Sequence, residues 1–461
     1  MIYYKLEVDM NIIIVGAGKV GEYLFSDLNT LENDIILIEK SNTILNDMLS
    51  KYDIMGICGN AASYDTLEKA GVSNADVFIS VTESDEINII SCMFAKKMKA
   101  KYTIARVRNP EYSEKYDFVK ETLGIDLMIN PELVTARDIS RSLKYPFAHS
   151  VETFADGRVK LVGISVGKNS PLNNLKILDL QKVFNHQILI AIVQRENDIF
   201  IPSGNFIIKE NDKVYFTGMD KYVYKFYNKL GVEKKKIESV CIIGGSKIAY
   251  YLISNLIYEN INVKLIEVNR ERAEFFNEKF PNNVNIVCAD GSDSEVLDAE
   301  DISKYDCCIS LTGIDEENIM ISMYAKNLGI NKNIAKVNRL SLLNIISSIE
   351  DYCFITPKKL VSDIIVSVVR SIKNSEGSNI ETLHRICNNK VEAVEIKIKK
   401  ESKVTNTLLK DLKLKENILI AYIIRNNKII FPTGDDLILV GDCIIVISRA
   451  NVIQNVENIL E

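Results

Sequence analysis

The chain has few of the residues that most enzymes use to move protons. Only three histidines occur in 461 residues, His149, His186 and His384. None falls at a strand end beside the glycine loop described below, and each reads as a packing or surface residue. No Ser–His–Asp order, P-loop lysine or metal-ligand cluster appears, so neither a catalytic constellation nor a metal site is expected. The nine cysteines show no CxxC spacing and no His at ligand distance. That excludes a zinc ribbon or disulfide framework and reads as buried small hydrophobes in a reducing compartment. No apolar run approaches the roughly 18 residues that cross a bilayer. The opening "MIYYKLEVD" carries two acids and no apolar core, so no secretory signal is expected and a membrane role must come through a partner. Basic residues number 56 against 62 acids, a net charge of −6, and neither half has a basic patch. Nucleic acid is therefore not an expected partner.

What is present is a globular composition, 47% apolar and 26% charged, in a chain long enough for two to four domains. It also repeats itself. "IVGAGKVGEYLF" from Ile14 returns as "IIGGSKIAYYLI" from Ile242, and Glu39 returns as Glu267, both 228 positions on. "FISVTESDEINII" returns as "CISLTGIDEENIM" and "YTIARVRN" as "KNIAKVNR", while "ILIA" and "PSG" recur as "ILIA" and "PTG". A near-constant offset means a duplicated unit of about 230 residues.

Each unit divides again. Short β-branched runs ("NIIIVG", "DIILIE", "DIMGIC", "DVFISVT", "YTIARV", "DLMINP") alternate with helix-length segments. That pattern indicates an α/β fold with a doubly wound parallel sheet covered on both faces. "PELVTARDISRSL" and "PKKLVSDIIVSVVRS" then read as helices with proline in the first turn. The rest of each unit is strand-rich, with turn signals at "DG", "PSGN", "RNNK" and "PTGDD", and reads as a small α+β module. Four domains are expected, at 10–131, 150–232, 237–357 and 378–461, with "GVEKKKIES" as a solvated linker. The apolar stripes of "ARDISRSL" and "IIVSVVRS" are expected to pair subunits in a symmetric homo-oligomer.

Gly16, Gly18 and Gly21 have GxGxxG spacing directly after a strand, and Glu39 ends the next strand, 21 residues beyond Gly18. In that context Gly16 permits the tight turn, Gly18 the approach of a pyrophosphate and Gly21 the packing of the helix on the sheet. The helix start offers free N–H donors to phosphate. Glu39 would accept from adenosine ribose hydroxyls and repel a 2′-phosphate, which favours NAD or an adenine nucleotide over NADP. Lys19 could reach a phosphate or simply stand exposed. Asn60, Val81, Thr82 and Arg106 follow or end later strands, at the edge where ligands bind in such sheets. Arg106 could meet a phosphate or pair with Asp85 or Glu86. In the second copy the middle and last glycines are Ser246 and Ala249. Ser246 adds a Cβ where a pyrophosphate would lie, and is expected to strain the loop if φ there is positive.

"GAGKVG", the strand-end Glu39, "SVTESDEIN", "IARVRNPEY", "INPELVTARDI" and "FADGRVKLVGISVGKNSPL" resemble the TrkA-type potassium uptake proteins, built from RCK (KTN) domains. The likeness covers nearly the whole chain, including its four-module order. It implies a non-enzymatic, cytosolic regulatory subunit that binds NAD(H), ATP or ADP. Such a subunit gates a Trk- or Ktr-type potassium transporter from the inner face of the membrane. One pseudo-symmetric pair per chain, with symmetric association as the default, leads us to expect a homotetramer. The resemblance assigns the first site to Gly16, Ala17, Gly18, Lys19, Val20, Glu39, Val81, Thr82 and Arg106. It assigns the second to Gly244, Gly245, Ser246, Lys247, Ile248, Glu267, Thr312 and Lys336, and Asp290 is the counterpart of Asn60. Family members start near Met10, so residues 1–9 read as an extension or a misassigned start. A regulatory subunit of another cation transporter or antiporter, or an NAD-dependent oxidoreductase, are the alternatives.

Overall fold

In a computed structural model the chain is described at residues 10–29, 33–113, 116–146, 148–155, 157–184, 188–230, 236–339, 341–342, 345, 353–373, 378–387, 390–449, 453 and 455–461. Residues 1–9, His186 and the 231–235 part of the charged linker lie outside them.

The first six β-branched runs become β1 (Asn11–Val15), β2 (Asp34–Glu39), β3 (Met55–Cys58), β4 (Val77–Ser80), β5 (Tyr102–Arg106) and β6 (Leu127–Ile129). They lie in the order β3-β2-β1-β4-β5-β6, and every pairing is parallel. The chain reverses direction across the sheet between β1 and β4. That crevice is where doubly wound sheets take their ligands. Ile12, Ile14, Leu37, Phe78 and Ile104 are fully enclosed, as a sheet covered on both faces requires. Helices start where a side chain can satisfy their free N–H groups: the hydroxyls of Ser41 and Ser84 accept from the Ile44 and Ile87 amides.

The small module that follows is antiparallel. It comprises β7 (Ser150–Phe154), β8 (Val159–Ser165), β9 (Leu189–Arg195), β10 (Asp198–Phe200) and β11 (Lys213–Met219), in the order β10-β9-β11-β8-β7. The second repeat copies both layers. A parallel sheet contains β12 (Ser239–Ile243), β13 (Asn262–Glu267), β14 (Val284–Cys288), β15 (Cys307–Ser310), β16 (Lys332–Lys336) and β17 (Cys353–Ile355). An antiparallel one contains β18 (Ser378–Ile386), β19 (Val391–Ile398), β20 (Ile418–Arg425), β21 (Lys428–Ile430) and β22 (Cys443–Arg449). The "RNNK" signal is a tight hairpin turn, with Asn426 and Asn427 at φ +48° and +64° between β20 and β21. Each small module is pinned by the same fork on a buried aspartate, Arg195 on Asp212 and Arg425 on Asp442, with N–H···O distances of 2.7–2.8 Å.

The compact units do not follow the repeats. One runs to Thr135 and adds Thr356–Val369; the other holds Ala136–Ile355 and Arg370–Glu461. The helix Pro357–Lys373, which follows the second parallel sheet, thus begins in the first unit, where the Ser362 hydroxyl donates to Asp27 at 3.0 Å. Its apolar face, Val361, Ile365, Val366 and Val369, is buried. Conversely, most of the helix Pro131–Leu143 belongs to the second unit, where Ser140 accepts from the Asn255 amide and Ala136, Ile139 and Leu143 are buried. The expectation that these stripes pair subunits is corrected: the chain itself covers them. Within the second unit the two antiparallel modules share one core, in which Phe154, Leu161 and Ile192 meet Ala393, Tyr422 and Ile445.

Candidate nucleotide site

The first glycine loop is held from three sides. Gly16 has φ +96° and donates to the Ile38 carbonyl at 2.9 Å, and a Cβ there would lie 3.1–3.2 Å from Thr82 atoms. A Cβ on Gly21 would sit 2.3 Å from the Gly16 oxygen, so helix and loop touch through backbone alone. Gly18 differs, because a Cβ built on it meets no protein atom within 4 Å. Protein packing therefore explains glycine at 16 and 21 but not at 18. Gly18 and Lys19 are exposed at the start of the helix Lys19–Asn29, while Ala17, Val20 and Gly21 are buried beneath it.

Glu39 does more than the sequence suggested. Its two oxygens accept from the Ala17 amide at 2.9 Å and the Ser41 amide at 3.0 Å, so the carboxylate ties the loop to the end of β2. Each oxygen has a second lone pair for an incoming hydroxyl. Thr82 faces the loop from the end of β4, beside buried Val81, and accepts at its carbonyl from Arg106 Nη1 at 3.2 Å. Burial lowers the Arg106 guanidinium below its ordinary value, and Arg106 Nε is enclosed without a hydrogen bond. A cation held there would gain from an anion entering the cleft. The loop, Glu39, Thr82 and Arg106 thus converge on one sheet edge. Asn60 is exposed after β3, where its side chain caps the Ala62 amide. Asp85 takes the amides of Arg108 and Asn109 and the Arg108 guanidinium at 3.6 Å, so it is not the partner of Arg106.

One residue of this edge was missed. Asn88, fully buried on the helix Asp85–Lys97, accepts at Oδ1 from the Ser80 hydroxyl, the Thr82 hydroxyl and the Thr82 amide. Its Nδ2 donates to the Thr82 and Arg106 carbonyls at 3.1 and 2.9 Å. All its hydrogen-bonding capacity goes into joining the ends of β4 and β5. Asn318 repeats the bonds to Thr312 and Lys336. The "ESDEIN" and "IDEEN" alignment was the available signal.

The second loop keeps the frame and changes the surface. Gly244 has φ +100° and donates to Ile266, and Glu267 accepts from the Gly245 and Asn269 amides at 2.5 and 2.8 Å. Ser246 sits at φ −80°, so the expected backbone strain is absent. Its hydroxyl instead caps the helix Lys247–Tyr258 by accepting from the Ala249 amide at 3.4 Å. Ile248 and Ala249 are buried. Lys336 Nζ reaches the Leu311 carbonyl at 3.4 Å, and Arg272 stands 3.9 Å from Glu267. Asp290 is exposed and binds Ser292 through that residue's amide and hydroxyl, which hold its carboxyl below the ordinary value.

Two cysteines depart from the expected burial. Cys58 and Cys288 are exposed because β3 and β14 are edge strands, and they pair in register with Glu39 and Glu267. Elsewhere Cys443 donates to Glu395 and Glu381, both at 3.5 Å, and burial with the two carboxylates pushes its thiol well up. The Ala155 amide and Thr382 hydroxyl complete Glu395, so this set is closed by its own hydrogen bonds.

Among the described residues no helix is long and apolar enough to cross a membrane. The TrkA-N domain family matches residues 12–131 and 240–351, and the TrkA-C domain family matches 161–231 and 393–461. A Trk system potassium uptake protein TrkA homolog of Archaeoglobus fulgidus is 33% identical over 98% of this chain and 100% of its own length. The Trk system potassium uptake protein TrkA of Vibrio alginolyticus is 31% identical over 91% of this chain and 92% of its own. A solved GsuK channel bound to NAD has the same fold, with TM-score 0.62 and 15% identity over 96% of this chain and 77% of that one. With both domain families present twice, in alternation, and relatives matched nearly end to end, the chain belongs to the TrkA family of Trk system potassium uptake proteins.

Proposed function

We propose that this chain is a peripheral regulatory subunit, without catalytic activity of its own, that binds an adenine nucleotide and gates a Trk- or Ktr-type potassium transporter from the cytoplasmic side. The observation that carries the reading is Gly18. The loop is glycine at a position that its own fold leaves open, on the sheet edge that also carries a buried carboxylate and a desolvated arginine. The helix N-terminus and Arg106 would hold phosphate, and Glu39 a ribose. NAD(H), ATP and ADP share those features, so all three are candidates for the first site. Asn60 lies at its rim. The second site, from Gly244 to Ile248 with Glu267, Asp290, Thr312 and Lys336, is the weaker one.

Gating requires that the nucleotide bind two arrangements of the protein unequally. A homotetramer of chains that each carry two RCK units, divided into four domains near the boundaries 10–131, 150–232, 237–357 and 378–461, would present eight RCK units to the transporter. Calorimetry of the full chain with ADP, ATP and NADH should give binding that Gly18→Asp removes. Co-purification with a Trk-type membrane protein should depend on the bound nucleotide. Unchanged affinity in Gly18→Asp would overturn the site, and failure to associate with any Trk- or Ktr-type protein would overturn the partner. Light scattering tests the assembly, for which a stable monomer is the contrary result.

A further inference from the structure

Where the two antiparallel modules meet, their first strands carry the same signature, "VETF" in β7 and "IETL" in β18. The residue that follows is Ala155 in one and His384 in the other. Ala155 offers no polar side chain: its methyl group lies in the shared core and its amide donates to Glu395 at 3.0 Å. His384 contributes its ring to the opposite strand. Nδ1 lies 2.8 Å from Glu152 Oε2, and Nε2 lies 3.0 Å from the Thr153 carbonyl oxygen. The Phe154 ring stands edge-on to the imidazole at 4.9 Å between centroids.

Both neighbours of the ring are acceptors. A peptide carbonyl only accepts, and an ionised carboxylate only accepts. A neutral imidazole has one N–H and therefore satisfies one of the two contacts, leaving the other as a lone pair facing an oxygen. Both are satisfied only when both nitrogens carry hydrogen. We propose that the junction between the two antiparallel modules is a proton-dependent clamp, closed when His384 is doubly protonated between Glu152 and the Thr153 carbonyl, and loosened when it loses that proton.

Of the charges nearby, an ionised Asp138 favours the imidazolium, whereas Arg141 and Lys332 oppose it. On the helix Pro131–Leu143, Asp138 feels the charges of both Glu152 and His384, and also those of Arg141 on its own helix and of Lys332 on β16, whose Nζ donates to the Ala148 carbonyl at 2.9 Å. The Asp138 carboxyl is pushed up to about 7, by burial first and by the Glu152 charge second, while Arg141, His384 and Lys332 act against the rise. Cys353, on β17 beside Lys332 and Asp138, is raised by burial and stays a thiol. Arg385, the next residue on β18, pairs instead with Glu392 at 3.7 Å.

The signs agree. A histidine that holds its proton more tightly when folded contributes stability fully below its unfolded value, about 6.5, and loses it as pH rises through the folded value. A carboxyl raised by burial contributes fully below its ordinary 3.8 and loses that contribution between there and about 7. Weak acid tightens the junction, and alkali loosens it.

Three histidines in the whole sequence make the measurement direct. The full-length protein, labelled at histidine ring carbons, is titrated by NMR from pH 5 to 9. The His384 resonance should move with a midpoint above the ordinary imidazole value of about 6.5, and Glu152→Gln should lower it. His149, buried and held down to about 3, should stay neutral throughout and serves as the internal reference. Thermal melting of the wild type should fall as pH rises from 6 to 9, and His384→Gln should flatten that slope. A wild-type His384 midpoint at or below about 6.5, or a slope unchanged in His384→Gln, overturns the clamp. The wild-type titration decides the matter even if a variant fails to fold.

Discussion

The two glycine loops share a backbone and differ in what their helix starts are doing. Both glycines of positive φ, both strand-end glutamates and both buried asparagines are retained. In the first loop the start of the helix is bare around Gly18, whereas in the second the Ser246 hydroxyl already occupies a donor that a phosphate would use. Duplication preserved what holds the sheet edge together and released what faces outward. A frame under packing constraint cannot drift, because Gly16 and Gly244 would each drive a Cβ into the strand end that carries the threonine. An open position can.

The comparison breaks most sharply at Gly18. Gly18→Asp places bulk and negative charge where phosphate would lie, on a Cβ that meets no protein atom within 4 Å. Nucleotide affinity should fall about a hundredfold or more, ~2.7 kcal/mol, while the melting temperature holds. Calorimetry beside thermal melting tests both halves of that statement. Glu39→Ala should cost about tenfold to a hundredfold in affinity, roughly 1.5–3 kcal/mol, through lost ribose contacts and a freed loop. The same change at Glu267 should lower stability and leave the high-affinity isotherm in place.

Gly21→Ala should destabilise the fold by about 1–3 kcal/mol, because its Cβ would press on the Gly16 carbonyl. Ala249→Gly should stay within about 1 kcal/mol; urea midpoints rank the two. The smallest effect is the most telling one. In a Gly18→Asp background, Ser246→Gly should uncover the second helix start and raise residual nucleotide affinity about threefold to tenfold. It should cost only a few tenths of a kcal/mol in stability. No gain in affinity would mean that the serine is not what weakens the second loop.

The parallel sheets were legible because each strand is a short β-branched run, and a near-constant offset repeats them. The site was legible as far as spacing reaches, from Gly16 to Glu39. Asn88 was hidden because a buried amide on a helix looks the same in sequence as a solvated one; only its five hydrogen bonds reveal it. The stripes on the helices Pro131–Leu143 and Pro357–Lys373 announced that something covers them, but periodicity does not say what. The burial expected for Cys58 and Cys288 failed because an edge strand reads like a central one. His384 looked like a packing residue because its partners lie about 230 positions away, on the other module.

The exchange of those two helices means that each half of the duplicated chain is finished by a segment encoded in the other. Residues 356–369 complete the unit that holds the first nucleotide loop, and Ala136–Leu143 belong with the second. A cut at the middle of the gene would therefore not release two working miniatures. Each product would keep its own helix with nothing to lay it on, and would lack the one it needs. The cheapest repair is to borrow that helix from a second identical copy. A half-length product should then be found as a reciprocal dimer, which is the form a single-unit ancestor would have taken before fusion joined its two copies into one polypeptide.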